Sequence, residues 1–337
     1  LEAKIRMTKE RIEAWYNSWV RYEIENLDTG KTRFVTWDNR DYQEPPLKEN
    51  EWIKEVLDGQ VYVSFSGGKD STVLKHIVDS MYGDVPAVFV NTGLEYPEIQ
   101  KFAMAQKNVV AMRPEMRFDE VIRKYGYPII TKQIADAIEG ARRNPMGSRM
   151  MRLCGEYGGR NDGKPSKFNC PKWKFMLYSP FPVSSKCCDV MKKKPLKQYG
   201  KETGRVPFIG ILASESQIRR REWVKHGCNA FVKGSPSSTP LAFWAEQDVL
   251  RYLKKYNVPY CSVYGDIVET ENGLKTARCD RTGCIFCMFG CHLEKEPNRF
   301  QRMKDTHPRQ YAYCMKPVED GGLGLREVLE YIGIPCE

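Results

Sequence analysis

The sequence predicts an α/β fold: a parallel, twisted sheet flanked by helices, with an N-terminal helical extension and a cysteine-rich C-terminal region. Three observations lead there. From residue 61 onward, short apolar runs rich in β-branched residues alternate with stretches of helical spacing, the pattern of strand–helix–strand units that builds parallel sheets. A tight glycine turn, Ser66-Gly67-Gly68-Lys69, joins the first such run to the first such stretch. Near the C-terminus Cys279, Cys284, Cys287 and Cys291 fall close together.

Taken in order, residues 8–25 read as an amphipathic helix, because Ile12, Trp15, Tyr16, Trp19 and Val20 recur at helical spacing. That aromatic stripe is expected to pack on the main domain. Residues 32–37 read as a short strand, and Asp38 to Pro46 as a turn-rich linker. Val61-Tyr62-Val63-Ser64-Phe65 is the first strand of the main domain, and residues 71–81 form a helix through Val73, Leu74, Ile77 and Val78. Further strands are expected at 87–91, 109–112 and 208–212, with helices at 96–106 and 246–255. Between Gly140 and Ser185 the pattern weakens into Gly, Pro, Arg, Lys and Asn, which predicts a long functional or mobile loop. The expected divisions are 1–57, the helical extension; 58–260, the nucleotide-binding α/β domain; and 261–337, cysteine-rich and then helical.

The 337 residues suffice for one large domain or two smaller ones. Hydrophobic residues at 41% and charged residues at 28% describe an ordinary globular chain. No run approaches the roughly 18 apolar residues of a membrane span, and the first residues lack the apolar core of a secretory signal. A cytoplasmic location without membrane contact is therefore expected. The net charge of +10, with local concentrations at Lys192-Lys193-Lys194 and Arg219-Arg220-Arg221, fits either a solvated surface or a polyanionic partner. Twelve cysteines, two adjacent and two in a Cys-x-x-Cys, favour a metal or redox site over a disulfide framework.

The loop Ser66-Gly67-Gly68-Lys69-Asp70-Ser71 carries the sharpest chemistry. Glycines let backbone N–H groups approach phosphate oxygens, and the helix start adds a favourable dipole. Lys69 offsets phosphate charge, Asp70 suits Mg²⁺ on a pyrophosphate, and Ser66 and Ser71 offer hydroxyl donors. The spacing is not that of a Walker loop. Residues 61–78 resemble the pyrophosphatase loop of the adenine-nucleotide α-hydrolase superfamily, and residues 88–98 resemble the following strand and loop of the phosphoadenosine phosphosulfate reductase family. The resemblance covers roughly residues 58–300. It implies ATP or adenylyl sulfate as ligand, with Mg²⁺, bound by Ser64, Ser66, Gly67, Gly68, Lys69, Asp70, Ser71, Asn91, Thr92, Gly93 and Glu95. Residues 210–221 resemble the family's strand-end segment, which implies that Ser216 and Arg220 reach the phosphate or sulfate end.

Ser185 to Leu196, with Cys187-Cys188, resembles the Cys-Cys segment of adenylyl-sulfate reductases. The resemblance implies a [4Fe-4S] cluster held by Cys187, Cys188, Cys284 and Cys287. Four thiolates suit iron–sulfur or zinc, and the nearby lysines offset their charge. A zinc site of Cys279, Cys284, Cys287 and Cys291, or buried free thiols, are the alternatives. Two departures from the reductase pattern stand out. The full Ser-Gly-Gly-x-Asp-Ser form is kept, and the C-terminal Cys336 lacks the surroundings of the family's nucleophilic cysteine.

Three functions are expected from these readings. The first is a sulfur-transfer enzyme that cleaves ATP to adenylate and pyrophosphate, with Lys69 and Asp70 catalytic. The second is a reductase of adenylyl sulfate or its 3′-phosphorylated form, with Cys336 as nucleophile and a thioredoxin-like reductant. The third is a zinc-stabilised nucleic-acid-binding module. A sulfur-donor protein and a nucleic-acid acceptor are compatible partners for the first.

Overall fold

The computed structural model describes residues 1–41, 43–158 and 164–337. The chain forms two compact units, each assembled from separated stretches. The first comprises residues 1–91, 95–113 and 194–282; the second comprises 92–94, 114–193 and 283–337.

The first unit is built on a six-stranded sheet. Its order is Val109–Met112, Ala87–Val90, Val61–Phe65, Val206–Ile209, Ser237–Ser238, Asn229–Ala230. Every pairing is parallel except the last, which confirms the expected α/β class. Val61–Phe65 sits centrally because its side chains suit burial on both faces: four of its five residues are buried, and the fifth, Ser64, is partly so. The chain runs outward from this strand to 87–90 and 109–112, then returns on its other side at 206–209. That reversal makes a switch point, where the carboxyl ends of adjacent strands leave a crevice.

The helix Lys69–Met81 follows the glycine turn and buries Val73, Leu74, Ile77 and Val78 in the core of this unit. The helix Glu246–Lys255 lies where the periodicity of Val249, Leu250 and Leu253 places it. The N-terminal helix Glu2–Ser18 buries Ile5, Ile12 and Trp15 at helical spacing. Trp244 Nε1 donates to Thr8 Oγ1 at 2.9 Å, and Lys4 pairs with Asp248 at 2.5 Å. The stripe is therefore a packing face.

That helix begins and ends earlier than the expected 8–25. At Trp19 the chain turns into the strand Trp19–Asn26, which pairs antiparallel with Thr32–Asp38 and Glu51–Leu57. The physical reason lies in the residues: Val20, Tyr22 and Ile24 are buried while Arg21, Glu23 and Glu25 are only partly so, a period of two. The three-stranded sheet has its own small core, with Val35, Trp37 and Ile53 packed on those three side chains.

The second unit has little sheet: Ile129–Ile130 pairs in parallel with Met288–Phe289. Its bulk is helical, with Phe118–Tyr125, Lys132–Arg143, Ser148–Cys154, Arg299–Thr306, Pro308–Met315 and Leu325–Tyr331. The described parts of the stretch 140–185 thus hold more regular structure than their composition suggested. One side chain explains much of this. The Arg142 guanidinium donates to the carbonyls of Met176, Leu177, Ser179 and Phe181 and to Ser179 Oγ, at 2.6–3.2 Å, and so fastens the 3₁₀ segment Pro171–Tyr178 together with residues 179–181.

Candidate functional site

In the first unit the loop 66–71 lies at the carboxyl end of the central strand. Gly67 has φ +72°, a conformation that favours glycine, and a Cβ there would meet Ile99 Cγ2 at 3.0 Å. Gly68 is the N-cap of the helix that begins at Lys69. Serines brace the turn. Ser66 N donates to Ser71 Oγ at 3.2 Å, Gly68 N donates to Ser66 Oγ at 3.3 Å, Ser71 Oγ donates to Gly68 O at 3.0 Å, and the two hydroxyls lie 3.0 Å apart. Gly210, just past the neighbouring strand, passes close behind: a Cβ on it would meet Ser71 Cα at 2.9 Å. The loop is therefore a rigid, glycine-lined helix start, a geometry suited to an anion.

The charged side chains around it were only half visible in the sequence. Lys69 is buried, and its ammonium donates to Glu246 Oε1 at 2.8 Å and to the Asp280 carbonyl at 2.7 Å, 5.2 Å from the centre of the Tyr264 ring. The Tyr264 hydroxyl lies 2.6 Å from Thr282 Oγ1, and burial holds the phenol protonated well above its usual range. Burial likewise raises the Asp70 carboxyl, and the charges of Lys69 and Arg281 partly offset it. Arg281 and Arg219 both pair with Glu215. Glu246, Tyr264, Asp280 and Arg281 are the residues that sequence reasoning missed, while Glu215 lies within the strand-end segment 210–221 without having been given a role. The first four come from residues 246–281, far along the chain, and carry no motif of their own.

The other expected nucleotide residues are placed as follows. Ser64 is inside the central strand, paired with Val88 on one side and Ile209 on the other. Asn91 follows the adjacent strand, and its N–H donates to the Met112 carbonyl at 2.8 Å. Thr92 and Gly93 belong to the second unit, where Thr92 Oγ1 accepts from Leu94 N at 3.1 Å and Gly93 has φ +73°. Glu95 returns to the first unit. Ser216 caps the helix Gln217–His226, accepting from Arg219 N at 3.2 Å. Arg220 lines a shallow surface pocket with Gln217, Arg221, Val224 and Lys225.

In the second unit Cys187, Cys188, Cys284 and Cys287 line one small pocket with Leu94, Phe118, Pro128, Phe286 and Phe289. Two local features bring each pair inward. Cys187 and Cys188 directly precede a π-helical turn, Asp189–Lys193, a feature frequent at functional sites. Cys284 and Cys287 sit on one turn, closed by Cys287 N donating to Cys284 O at 3.0 Å and held by Arg299 Nη1 on the Cys287 carbonyl at 2.9 Å. Burial raises the Cys187 thiol far above its usual range, and the nearby Cys188, Cys284 and Cys287 add to that, while Lys192 opposes it. Burial also raises Cys287, against Arg299 and Lys192. Among the described residues no three Cys, His, Asp or Glu side chains close around a single-ion position. The four thiols line one pocket, an all-sulfur donor set of the kind that suits iron–sulfur or zinc.

The other cysteines singled out by sequence do not line that pocket. Cys279 packs with Cys261 and Tyr264 in the first unit, and its thiol donates to the Arg281 carbonyl at 2.9 Å. Cys291 is buried, and burial pushes its thiol up to about 12, with the nearby Cys287 adding to that and Arg299 opposing it. Cys336 is 3% exposed, and its carbonyl accepts from the Tyr311 hydroxyl at 2.7 Å.

Comparison with known proteins adds a family. The chain is 22% identical over 334 residues to an uncharacterized protein of Methanocaldococcus jannaschii, covering 98% of this chain and 59% of that protein. It is 23% identical over 214 residues to a phosphoadenosine 5′-phosphosulfate reductase of Proteus mirabilis, covering 62% of this chain and 67% of that one. It is 30% identical over 84 residues to an adenosine 5′-phosphosulfate reductase of Allochromatium vinosum, covering 25% of this chain and 32% of that one. The family model of the phosphoadenosine phosphosulfate reductase domain matches residues 60–132 and 140–289, a span that takes in the glycine loop and all four pocket cysteines. On that match, over more than half its length, the chain belongs to the phosphoadenosine phosphosulfate reductase domain family.

Proposed function

We propose that the protein is an ATP pyrophosphatase-type enzyme of this family, which cleaves ATP to adenylate and pyrophosphate and couples this to sulfur transfer in the cytoplasm. The observation that carries the reading is the complete Ser-Gly-Gly-Lys-Asp-Ser loop, braced by its own serines at the end of the central strand. Backbone N–H groups at the helix start receive the phosphates, which the Ser66 and Ser71 hydroxyls also reach. Asp70 would hold Mg²⁺, which would supply positive charge to offset that of the pyrophosphate. Lys69, buried and already oriented by Glu246 and Asp280, supplies fixed positive charge of the kind that stabilises a transferring phosphoryl group.

Cys187, Cys188, Cys284 and Cys287 would hold a [4Fe-4S] cluster. Bound there, the group would supply a redox-active or sulfur-carrying centre to the reaction. The apolar walls matter to this assignment. Phe118, Phe286, Phe289 and Leu94 line the pocket with apolar surface, and the Cys187 and Cys287 thiols, raised by burial, would give up their protons to a strongly bound metal.

Reduction of adenylyl sulfate or phosphoadenylyl sulfate is the second reading, favoured by the names of the relatives in Proteus mirabilis and Allochromatium vinosum. The burial of Cys336 beneath Tyr311 weighs against it, because an attacking thiolate needs access and a lowered pKa, and burial raises this thiol. One experiment separates the two. Protein purified without oxygen is given Mg²⁺ and ATP, then adenylyl sulfate with a thioredoxin-type reductant. Pyrophosphate from ATP supports the first reading; sulfite without pyrophosphate release replaces it with the second.

A further inference from the structure

The helix Gln217–His226 stands apart from the other helices of its unit in chemistry. None of its ten residues is buried. Gln217, Arg220, Arg221, Val224 and Lys225 line one shallow surface pocket, and their positions, i, i+3, i+4, i+7 and i+8, are those of a single helical face. That face holds three cations and no acid. Arg219 and His226 lie off it and are paired with Glu215 and Glu222. Arg220, Arg221 and Lys225, by contrast, have no acidic partner within ion-pair distance among the described residues. Three unpaired cations side by side create a local positive potential that attracts an anion.

We propose that this face binds the phosphodiester backbone of a nucleic acid. Two arginines suit phosphate because the guanidinium fork pairs its oxygens bidentately. From Arg220 to Lys225 the helix rises about 8 Å, a spread that meets a line of phosphates better than one small anion. The stripe contributes a single aliphatic side chain, Val224, and no aromatic one, which disfavours insertion into a bilayer. The net charge of +10 adds long-range attraction for a polyanion. The helix also starts beside the candidate site. Its first turn is linked through Arg219 to Glu215 and from there to Arg281, whose charge acts on Asp70. A bound strand would lie one ion-pair relay from the loop. The proposal concerns binding alone and stands whether or not ATP is the nucleotide turned over.

The test uses the full chain and two labelled probes, a 20-nucleotide single-stranded RNA and a 20-base-pair DNA duplex. Fluorescence anisotropy is read between 50 and 200 mM salt. Arg221→Glu with Lys225→Glu is expected to weaken binding at least about tenfold, and to lower the slope of log affinity against log salt by about 1.4 for the single strand or 1.8 for the duplex. Arg221→Gln with Lys225→Gln gives the same direction without charge reversal. Lys107→Glu with Lys304→Glu removes the same charge elsewhere and is expected to act weakly. Whichever probe binds more tightly identifies the kind of nucleic acid. Failure of both probes to bind overturns the proposal. So does equal loss in the Lys107/Lys304 variant, or binding to phosphatidylserine vesicles in place of either probe.

Discussion

Lys69 and Asp70 are adjacent in sequence but sit in different electrostatic settings. Lys69 is enclosed by Glu246, the Asp280 carbonyl and the Tyr264 ring, so its charge is fixed in place. Asp70 is raised by burial and held by Lys69 and Arg281, so its carboxylate gains most from a cation arriving nearby. Removing each group should therefore give a different signature. Asp70→Asn keeps shape and loses the charge that a hard divalent cation requires. The expectation is a fold unchanged by circular dichroism and Mg²⁺-dependent pyrophosphate release down about a hundredfold or more. Lys69→Ala removes a charged hydrogen-bond donor, of order 1.5–3 kcal/mol, and should weaken nucleotide binding about ten- to a hundredfold. Turnover unchanged in both variants would show that the loop only tightens the strand–helix turn. The loop residues were legible in the sequence because their types sit in one short string after an apolar strand. Glu246 and Tyr264 were not, because nothing local distinguishes a glutamate that starts a helix or a tyrosine in a turn from hundreds of others. Only the return of the chain from 206 to 282 brings them to Lys69.

At the scale of elements, periodicity served where one face is buried and failed where the period changes mid-segment. The central strands and the helices 69–81 and 246–255 follow their apolar spacing. Residues 8–25 mix two periods: the helical stripe ends at Trp15, and alternation takes over from Trp19. Glu51–Leu57 escaped notice because most of it is exposed, leaving a strand whose identity comes from its partner rather than its own pattern. Likewise, no residue type announces the π-turn at 189–193, which directly follows the two adjacent cysteines. The most exacting element contact is between Gly210 and the start of the loop helix. A Cβ at 210 would meet Ser71 Cα at 2.9 Å, Ser71 N at 3.0 Å and the Asp70 carbonyl carbon at 3.1 Å, all of them backbone atoms. Neither side can yield by rotating a side chain. Gly210→Ala should cost about 1–3 kcal/mol of stability through overpacking, seen as a lower midpoint in urea. It should also weaken nucleotide binding by shifting the loop. A variant as stable as the parent would mean that the strand end moves freely, and that the loop's position does not depend on it.

For the molecule as a whole, each compact unit carries one candidate site. The first holds the glycine loop at the edge of a conventional packed core. The second has only a two-residue parallel pair for sheet among its described residues and gathers its cysteines from segments about a hundred residues apart. A unit so assembled gains most from a centre that ties its segments together, because metal-binding free energy then becomes folding free energy. The prediction is that protein purified without oxygen is brown and carries about four iron atoms per chain. Cys284→Ser or Cys287→Ser should bleach it and lower the thermal midpoint of the second unit, while leaving nucleotide binding in the first intact. Cys228 makes the sharpest control, since it packs with Ala213 and Ala242 in the first unit; Cys154 and Cys170 serve within the second. Changing any of these three should leave the colour. Because Cys279 packs with Cys261 and Tyr264, Cys279→Ser should leave it too, which separates the four-cysteine pocket from the rival set containing Cys279. Colourless protein with one zinc per chain, prepared under the same anaerobic conditions, would reassign the pocket to a structural ion and remove the redox step from the proposed reaction.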